Sequence, residues 1–292
     1  MRHRFTFRTF RTFRTFRSIY RCFCLPLCAA ALLLGNAACT TPLTLGGRAA
    51  LLPADILLLG EQHNAPEHQV WEADTVAWLA DNGALAALVL EMAEHGRSTA
   101  ALPPDAKESA VQKALYWNDA TWPWAAYGAT VMAAVRAGVP VLGGNLPRKQ
   151  LNATTADAAL DSQVPAAVWQ RQLQAVRAGH CDLLPEKMLP GMVRVQIARD
   201  ISLANTAVSA VQMGKTVVVV AGGGHVQRSL GIPLHLPAHL TSKVALAQST
   251  RALAAINKEA TNGDADWVHT TPALPEEDAC AALRQQWQKT AP

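Results

Sequence analysis

Residues 57–71 read LLLGEQHNAPEHQVW, and this stretch decides the fold. The apolar residues that open it are typical of a strand buried on both faces of a sheet. Glu61 and His63 follow in a predicted loop. Asn64 is a predicted helix N-cap, and Pro66 lies in the first turn of that helix, where a missing N–H is tolerated. A strand that delivers polar side chains to the start of a helix is a common ligand-binding corner of α/β folds.

A second corner of the same kind lies far downstream, where the apolar run 216–220 leads to the sequence GGGH at residues 222–225. Both corners contain the pattern G-x-x-H. Strands and helices are predicted to alternate along the chain, which indicates an α/β fold with a mainly parallel β-sheet flanked by helices. A smaller helical insert is predicted at about residues 146–190, and a further helix at residues 250–260. The predicted strands are residues 55–59, 85–90, 139–142, 216–220, 243–247 and 266–270.

Polar side chains follow four of the predicted strands. Because the carboxyl ends of parallel strands lie at one edge of a sheet, these side chains are expected to converge. Histidines and carboxylates suit a borderline divalent metal such as manganese or zinc, with coordination positions left open for catalysis. For each histidine, a purely structural hydrogen bond is the alternative. The predicted metal ligands are Glu61, His63, Glu91 and His225, which are also the predicted catalytic residues of a hydrolase. Asn145 and Arg148 follow the predicted strand 139–142 and are expected at the same edge.

Several familiar catalytic motifs are missing from the sequence. The glycine run lacks the Lys-Ser/Thr of a phosphate-binding loop, and no G-x-S-x-G or H-E-x-x-H pattern occurs. Arg148 and Arg199 are candidates for binding carboxylates, with structural ion pairs as the alternative. Tyr116 and Tyr127 are the only tyrosines outside the leader. Either phenolate is able to bind ferric iron, and a buried structural tyrosine is the alternative.

Residues 1–38 are predicted to be a signal peptide. Residues 1–21 contain seven arginines and no acidic residue, and an apolar core follows at residues 25–34. The formal net charge of the chain is +4, and without the seven leader arginines it is −3 for residues 39–292. A mildly acidic protein of this kind is not expected to bind nucleic acid.

Cys39 follows two small residues, and Ala37-Ala38-Cys39 resembles the end of a bacterial lipobox. Lipidation of Cys39 is therefore predicted, and a soluble periplasmic protein is the alternative. Acyl chains would anchor the protein to a membrane, which we expect to be the outer membrane. Residues 39–52 would then form a tether and residues 53–292 the folded domain.

Two cysteines, Cys181 and Cys280, remain beyond the leader and the predicted lipid anchor. An even number of cysteines in an oxidising compartment favours a disulfide between them. This bond would join the C-terminal tail to a loop in the middle of the chain. Two unpaired cysteines are the alternative.

The sequence GEQHNAPEH at residues 60–68 resembles the signature of the ChaN family of haem-binding lipoproteins, in which G-E-x-H is followed by D-N-P-x-H-H. Asn64 stands where that signature has an acidic residue, and Gln69 stands where it has a second histidine. The resemblance covers nearly all of residues 55–280. ChaN proteins are similar to TIKI proteases, TraB proteins and erythromycin esterases, which share two G-x-x-H motifs. The further matching segments are residues 122–124, 145–148, 179–186, 196–200, 222–225 and 231–233.

This resemblance implies a parallel-sheet domain that binds haem or iron at the bacterial surface, in homodimers that enclose haem. The favoured function is that of a haem-binding surface lipoprotein in bacterial iron uptake. One alternative is a divalent-metal-dependent hydrolase or protease of the TIKI or erythromycin esterase type. Another is a surface scaffold whose histidines merely form hydrogen bonds. The predicted haem-binding residues, with Tyr127 or a histidine on the iron and an arginine near the propionates, are His63, His68, Tyr127, Arg148, Arg199 and His225.

Overall fold

A computed structural model describes residues 50–250, 263–275, 280–281 and 283–285. These residues belong to one compact unit, Leu43–Pro292. The predicted signal peptide, Cys39, nearly all of the predicted tether and residues 251–260 of a predicted helix lie outside the described residues.

Six strands form one sheet in which every neighbouring pair runs parallel. The strands are β1 (Ile56–Glu61), β2 (Leu85–Glu94), β3 (Val141–Asn145), β4 (Thr216–Gly222), β5 (Ser242–Ser249) and β6 (Trp267–Thr271). Their order across the sheet is β3-β2-β4-β1-β5-β6. The predicted α/β fold with a parallel sheet is therefore confirmed, and each predicted strand corresponds to one strand of the sheet.

Helices pack on both faces of this sheet. They are α1 (Pro66–Asp81), α2 (Glu108–Leu115), α3 (Trp124–Arg136), α4 (Leu151–Ala156), α5 (Ala166–Gly179), α6 (Leu189–Ser209) and α7 (Gly223–Val226). Short 3₁₀ helices are formed by Arg148–Gln150, Ala158–Ser162, Glu186–Met188 and Ile232–His235. Residues 146–190 contain helices and turns without a strand, as the sequence predicts. No helix among the residues that the structure describes is both long and apolar enough to cross a lipid bilayer.

The central strands β1, β2 and β4 are apolar along most of their length because alternate residues enter two different cores. Leu57 and Leu59 of β1 pack in the core that contains α1 and α3, whereas Ile56 and Leu58 pack in the core that contains α6. Burying one such side chain stabilises the fold by about 1.5–3 kcal/mol. A third cluster joins α5 to α6 and includes Val176. This third cluster places the helical insert beside the carboxyl edge of the sheet.

Three local predictions differ from the structure. Asn64 is not the N-cap of α1: Ala65 takes that position, without a side-chain hydrogen bond. Glu61 and Glu91 lie within β1 and β2 and not in loops, because strand pairing continues beyond the apolar runs. Residues 96–121 are rich in Pro, Asp and Ala, which predicts a loop, but they contain α2, which buries Val111 and Leu115.

Candidate functional site

Three adjacent strands bring the predicted polar side chains together at the carboxyl edge of the sheet. β4 lies between β2 and β1, so Glu91, the glycine run before His225, and Glu61 come side by side. His63 Nε2 lies 3.8 Å from Glu91 Oε2, and His225 Nε2 lies 3.6 Å from Glu91 Oε1. The predicted convergence of these four side chains is confirmed.

Each of the two histidines is bonded through Nδ1 to a carboxylate. His63 Nδ1 donates to Glu61 Oε1 at 2.8 Å, and His225 Nδ1 donates to Asp200 Oδ1 at 2.6 Å. Because an ionised carboxylate only accepts hydrogen bonds, both rings carry a hydrogen on Nδ1. The two Nε2 atoms are left facing Glu91.

These carboxylates stabilise positive charge on both histidines. Burial opposes the charge of His225, but Asp200 and Glu91 outweigh it and raise the pKa of His225 to about 9. Burial also opposes the charge of His63, whose pKa is raised by Glu61 and Glu91. Burial raises the pKa of Asp200 to about 6, which leaves it ionised at neutral pH. The burial of Glu91 is outweighed by His225 and His63, which lower its pKa.

Glu61 is held by three side-chain donors. His63 Nδ1 and the Tyr127 hydroxyl each donate to it at 2.8 Å, and the carboxamide of Gln69 donates as well. Gln69, which departs from the family signature, thus supports the carboxylate. Glu72 is fully buried, and neither of its oxygens has a hydrogen-bond partner within the described part of the chain. Burial and the neighbouring Glu61 raise the pKa of Glu72 well above its ordinary value.

The histidine cleft is a cavity of about 420 Å³ that lies above these residues. Its walls come from the ends of β1 and β4, from the glycine run, and from α5 and α6 of the helical part. No lysine or arginine of the described residues lines it. The side chains that define it are Gln62, His63, Gln172, His180, Gln196 and His225.

The arginine cavity is a second cavity of about 380 Å³ that shares no lining residue with the histidine cleft. Apolar side chains form much of its wall, and two guanidinium groups lie among them. Arg199 Nε is buried without a hydrogen-bond partner among the described residues. The side chains that define the cavity are Met92, Tyr116, Trp122, Leu146, Arg148, Leu151 and Arg199.

Tyr116 is an unusual residue in the wall of the arginine cavity. It ends α2 in a left-handed conformation, with φ 52° and ψ 45°, at a position where helices commonly have glycine. Its side chain is 73% exposed. The Arg97 guanidinium lies 3.9 Å from the centre of its ring. Strained, exposed residues of this kind are enriched at ligand sites.

Glu91 and Trp122 separate the two sites. Glu91 lines the arginine cavity, while its carboxylate oxygens face the two histidines of the cleft. Trp122 also lines the arginine cavity, and its ring meets the ring of His63 edge-on at 4.8 Å. Asn145 braces this wall, because its Nδ2 donates to the Glu91 carbonyl at 2.8 Å.

Two predicted haem-binding residues do not line either site. Tyr127 is 1% exposed and its hydroxyl is bonded to Glu61, so its phenol oxygen is not presented to a ligand. His68 is fully buried: its Nδ1 accepts from the Gln62 backbone N–H, and its Nε2 is bonded to the Thr271 hydroxyl. Both side chains are engaged within the protein, and the iron-binding role of Tyr127 and the haem-binding role of His68 stay predictions. Of the other predicted haem-binding residues, His63 and His225 line the histidine cleft, and Arg148 and Arg199 line the arginine cavity.

Sequence reasoning missed the roles of Asp200, Tyr116 and His180. Asp200 interrupts the apolar face of the helix that became α6, and a charge on that face was the available signal. Tyr116 carried no such signal, because its left-handed backbone and its exposure depend on the fold. His180 stands between a glycine and a cysteine, and the one signal in this segment was its resemblance to the ChaN family.

Among the residues that the structure describes, no three or more His, Cys, Asp and Glu side chains are arranged to hold a metal ion. The predicted manganese or zinc site at Glu61, His63, Glu91 and His225 has no support from this geometry. The arrangement instead places two imidazoles, each bonded to a carboxylate through Nδ1, and the buried carboxylate of Glu91 at a solvent-accessible cleft.

Comparisons with known proteins agree with the fold. The family model described as haem-binding uptake, Tiki superfamily, ChaN matches residues 48–236. A solved structure that shows cofacial haem binding to ChaN of Campylobacter jejuni is 22% identical to this chain, with a TM-score of 0.60, and covers 69% of this chain and 84% of that one. The type III effector HopBA1 is 16% identical over 67% of this chain and 78% of its own, but its TM-score is 0.35 and it supports no argument. None of the curated proteins matches the chain.

Proposed function

We propose that this chain, which belongs to the ChaN family of haem-binding uptake proteins in the Tiki superfamily, binds haem in the arginine cavity. One observation carries this proposal: two arginines without an ion-pair partner among the described residues lie in a partly apolar cavity. Haem is a flat apolar ring with two carboxylates, and this combination of groups fits it. A guanidinium forms strong, charge-assisted hydrogen bonds to a carboxylate.

In this assignment Arg148 and Arg199 bind the propionates. Arg148 is exposed, and its backbone N–H is fixed by Glu94 Oε1 at 3.0 Å, so its side chain is free to reach a ligand. Arg199 Nε is buried and unbonded, so an anion would satisfy it. Met92 and Trp122 supply apolar contact with the ring.

Tyr116 is the residue that we assign to the iron. Its phenol is exposed in the wall of the cavity, and Arg97 holds the plane of its ring. A tyrosine phenolate is a known protein ligand of haem iron. The cleft histidines are not assigned this role, because they line the other cavity. Bound haem supplies a ferric iron and the absorption band by which binding is measured.

The test is titration of the purified protein with hemin. We expect a shifted Soret band, and its position should change in Tyr116→Phe. Arg148→Gln and Arg199→Gln should each weaken binding by roughly tenfold to a hundredfold, the effect of losing a hydrogen bond to a charged group. Arg136→Gln, at an exposed arginine in the last turn of α3, is the matched control and should bind as the natural protein does. A spectrum identical to that of free hemin would contradict the proposal.

The cellular setting belongs to the same proposal. An exported lipoprotein, anchored at the outer membrane through Cys39, would present the arginine cavity for iron uptake from haem, and haem would be enclosed between two copies of the chain. The lipobox-like Ala37-Ala38-Cys39 supports the anchor, and the family relationship supports the uptake role. Cys39→Ser should abolish incorporation of labelled palmitate and release the protein from the membrane fraction. Sedimentation with and without hemin tests the dimer.

Hydrolysis in the histidine cleft is a second candidate function. It is favoured by one observation, that two imidazoles bonded to carboxylates face the single buried carboxylate of Glu91. Glu91 would accept a proton from water, and His225 would donate one to the leaving group. A panel of chromogenic esters and peptides tests it, with elemental analysis of the same sample. Activity that survives His225→Gln would contradict this assignment.

A further inference from the structure

We propose that the histidine cleft is a ligand site separate from the arginine cavity, and that His180 is one of its binding residues, held in place by the Cys181–Cys280 disulfide. The ligand is an uncharged molecule whose amide or hydroxyl groups both donate and accept hydrogen bonds. This inference is independent of haem binding and holds whether the cleft merely binds its ligand or also hydrolyses it.

The geometry of His180 presents one ring nitrogen to the cleft. His180 follows the last residue of α5, and its Nδ1 lies 2.8 Å from the Val176 carbonyl oxygen. A carbonyl oxygen only accepts, so the hydrogen lies on Nδ1, and in the neutral ring Nε2 is left as an acceptor. His180 lines the cleft that His63 and His225 also line. Three imidazoles, each bonded to the protein through Nδ1, thus surround one cavity.

The disulfide fixes this part of the wall. Cys181 and Asp182 both adopt left-handed conformations, with φ of 55° and 57°. Non-glycine residues adopt this region at a cost of about 1–2 kcal/mol each, so the turn needs support from its surroundings. Cys181 is bonded to Cys280, 99 residues further along the chain. The bond therefore ties the residue next to His180 to a separate segment of the domain.

The lining of the cleft indicates the class of ligand. Three carboxamides, Gln62, Gln172 and Gln196, line it, and a carboxamide both donates and accepts. Gln172 is fixed by donation to the Leu230 carbonyl at 3.0 Å. The side chain of Gln196 lines the cleft and forms no hydrogen bond to another side chain or to the backbone within the part of the chain that the structure describes. Since His63 and His225 are already bonded to Glu61 and Asp200, and no lysine or arginine of the described residues lines the cleft, an uncharged ligand fits it better than an anion.

Carbethoxylation of histidines with diethylpyrocarbonate, followed residue by residue by mass spectrometry, tests the inference on the natural, oxidised protein. His180 should be labelled, because its Nδ1 is bonded to the Val176 carbonyl and the ring lines the cleft, which leaves Nε2 accessible to the reagent. An acetylated trialanine amide and a neutral disaccharide serve as probes, and at least one should slow the labelling of His180 several-fold. The probe that protects His180 shows whether the cleft recognises amide groups or hydroxyl groups. Acetate, inorganic phosphate and hemin should not protect His180.

The role of the disulfide is tested by a Cys181→Ser/Cys280→Ser double variant and, independently, by reduction of the natural protein with a phosphine. In each we expect faster labelling of His180 and loss of protection by the probe. His180→Gln should weaken probe binding measured by NMR and leave the hemin titration unchanged. The inference is overturned if His180 is not labelled, if neither neutral probe protects it, if acetate, phosphate or hemin protects it equally, or if breaking the disulfide changes nothing. Failure of haem binding alone would appear as a free-hemin spectrum with probe protection intact.

Discussion

The histidine cleft and the arginine cavity lie on either side of Glu91 and Trp122, but they differ in whether their charged side chains are paired within the protein. In the cleft, His63 and His225 are both bonded to carboxylates of the protein itself. In the cavity, neither arginine has an ion-pair partner among the described residues. The cleft histidines are therefore paired within the protein, whereas Arg199 Nε in the cavity has no hydrogen-bond partner among the described residues and is able to bind an anion.

Desolvation explains why this difference matters. A buried charge is costly unless it is paired, and the Asp200–His225 pair meets this requirement inside the fold. A guanidinium left without a partner in a partly apolar wall retains its capacity to bind a carboxylate. The cleft should therefore respond to changes in its internal pairs, and the cavity to changes in its ligand.

The largest expected effects come from a matched pair of glycine substitutions, one beside each site. A Cβ on Gly143 would overlap the carbonyl oxygen of Glu94, and a Cβ on Gly231 would overlap that of His225. Because backbone cannot move aside easily, Gly143→Ala and Gly231→Ala should each lower the free energy of unfolding by about 1–3 kcal/mol. Chemical denaturation measures this.

The same pair also separates the two sites. Glu94 holds the backbone of Arg148, so Gly143→Ala should weaken hemin binding and leave the NMR signals of His225 in place. Gly231→Ala should do the reverse. If both variants disturbed both sites equally, the sites would not be separate.

The next effect concerns pH. The pKa of His225 is raised to about 9 in the folded protein, above its value of 6.5 in an unfolded chain. Its contribution to stability is therefore fully present below pH 6.5 and is lost as the pH rises through 9. We expect the free energy of unfolding to fall by on the order of 2 kcal/mol between pH 7 and pH 10.

His225→Gln should flatten this pH dependence, measured by urea unfolding at each pH. Arg148→Gln, on the other side of the wall, is the control and should retain it. An unchanged slope in His225→Gln would show that the imidazolium of the cleft is not stabilised as the structure indicates.

Trp122→Leu tests the wall between the two sites. Trp122 lines the arginine cavity and contacts the ring of His63, so its loss should affect both. We expect hemin binding to weaken roughly tenfold, because an aromatic contact contributes about 1 kcal/mol beyond its buried area. The NMR signals of His63 should shift in the same variant. A change on one side alone would assign Trp122 to that site.

The smallest expected effect distinguishes the two tyrosines. Tyr127→Phe removes one buried hydrogen bond to Glu61 and should lower the free energy of unfolding by about 1 kcal/mol. Its Soret band with hemin should match that of the natural protein, in contrast to Tyr116→Phe. A shifted Soret band in Tyr127→Phe and an unchanged band in Tyr116→Phe would instead assign Tyr127 as the iron ligand.

Much of the site was predictable because it depends on strand ends. The apolar runs identified β1, β2 and β4, and polar residues after parallel strands must share an edge, so Glu61, Glu91 and His225 were correctly brought together. The individual roles were less accessible. Tyr127 and Tyr116 look equivalent in sequence, but one packs beneath Glu61 and the other ends a helix at the surface.

The amino-acid pattern alone predicted the α/β fold and the convergence of the two G-x-x-H corners, because periodicity and strand ends follow local rules. The even cysteine count favoured the pairing of Cys181 with Cys280, which the structure shows. Only the tertiary structure decided that the polar residues divide between two cavities. That division depends on which strand lies beside which, and on where α2, α5 and α6 pack across the edge of the sheet. Several of these contacts join residues more than a hundred positions apart, and no local pattern encodes them.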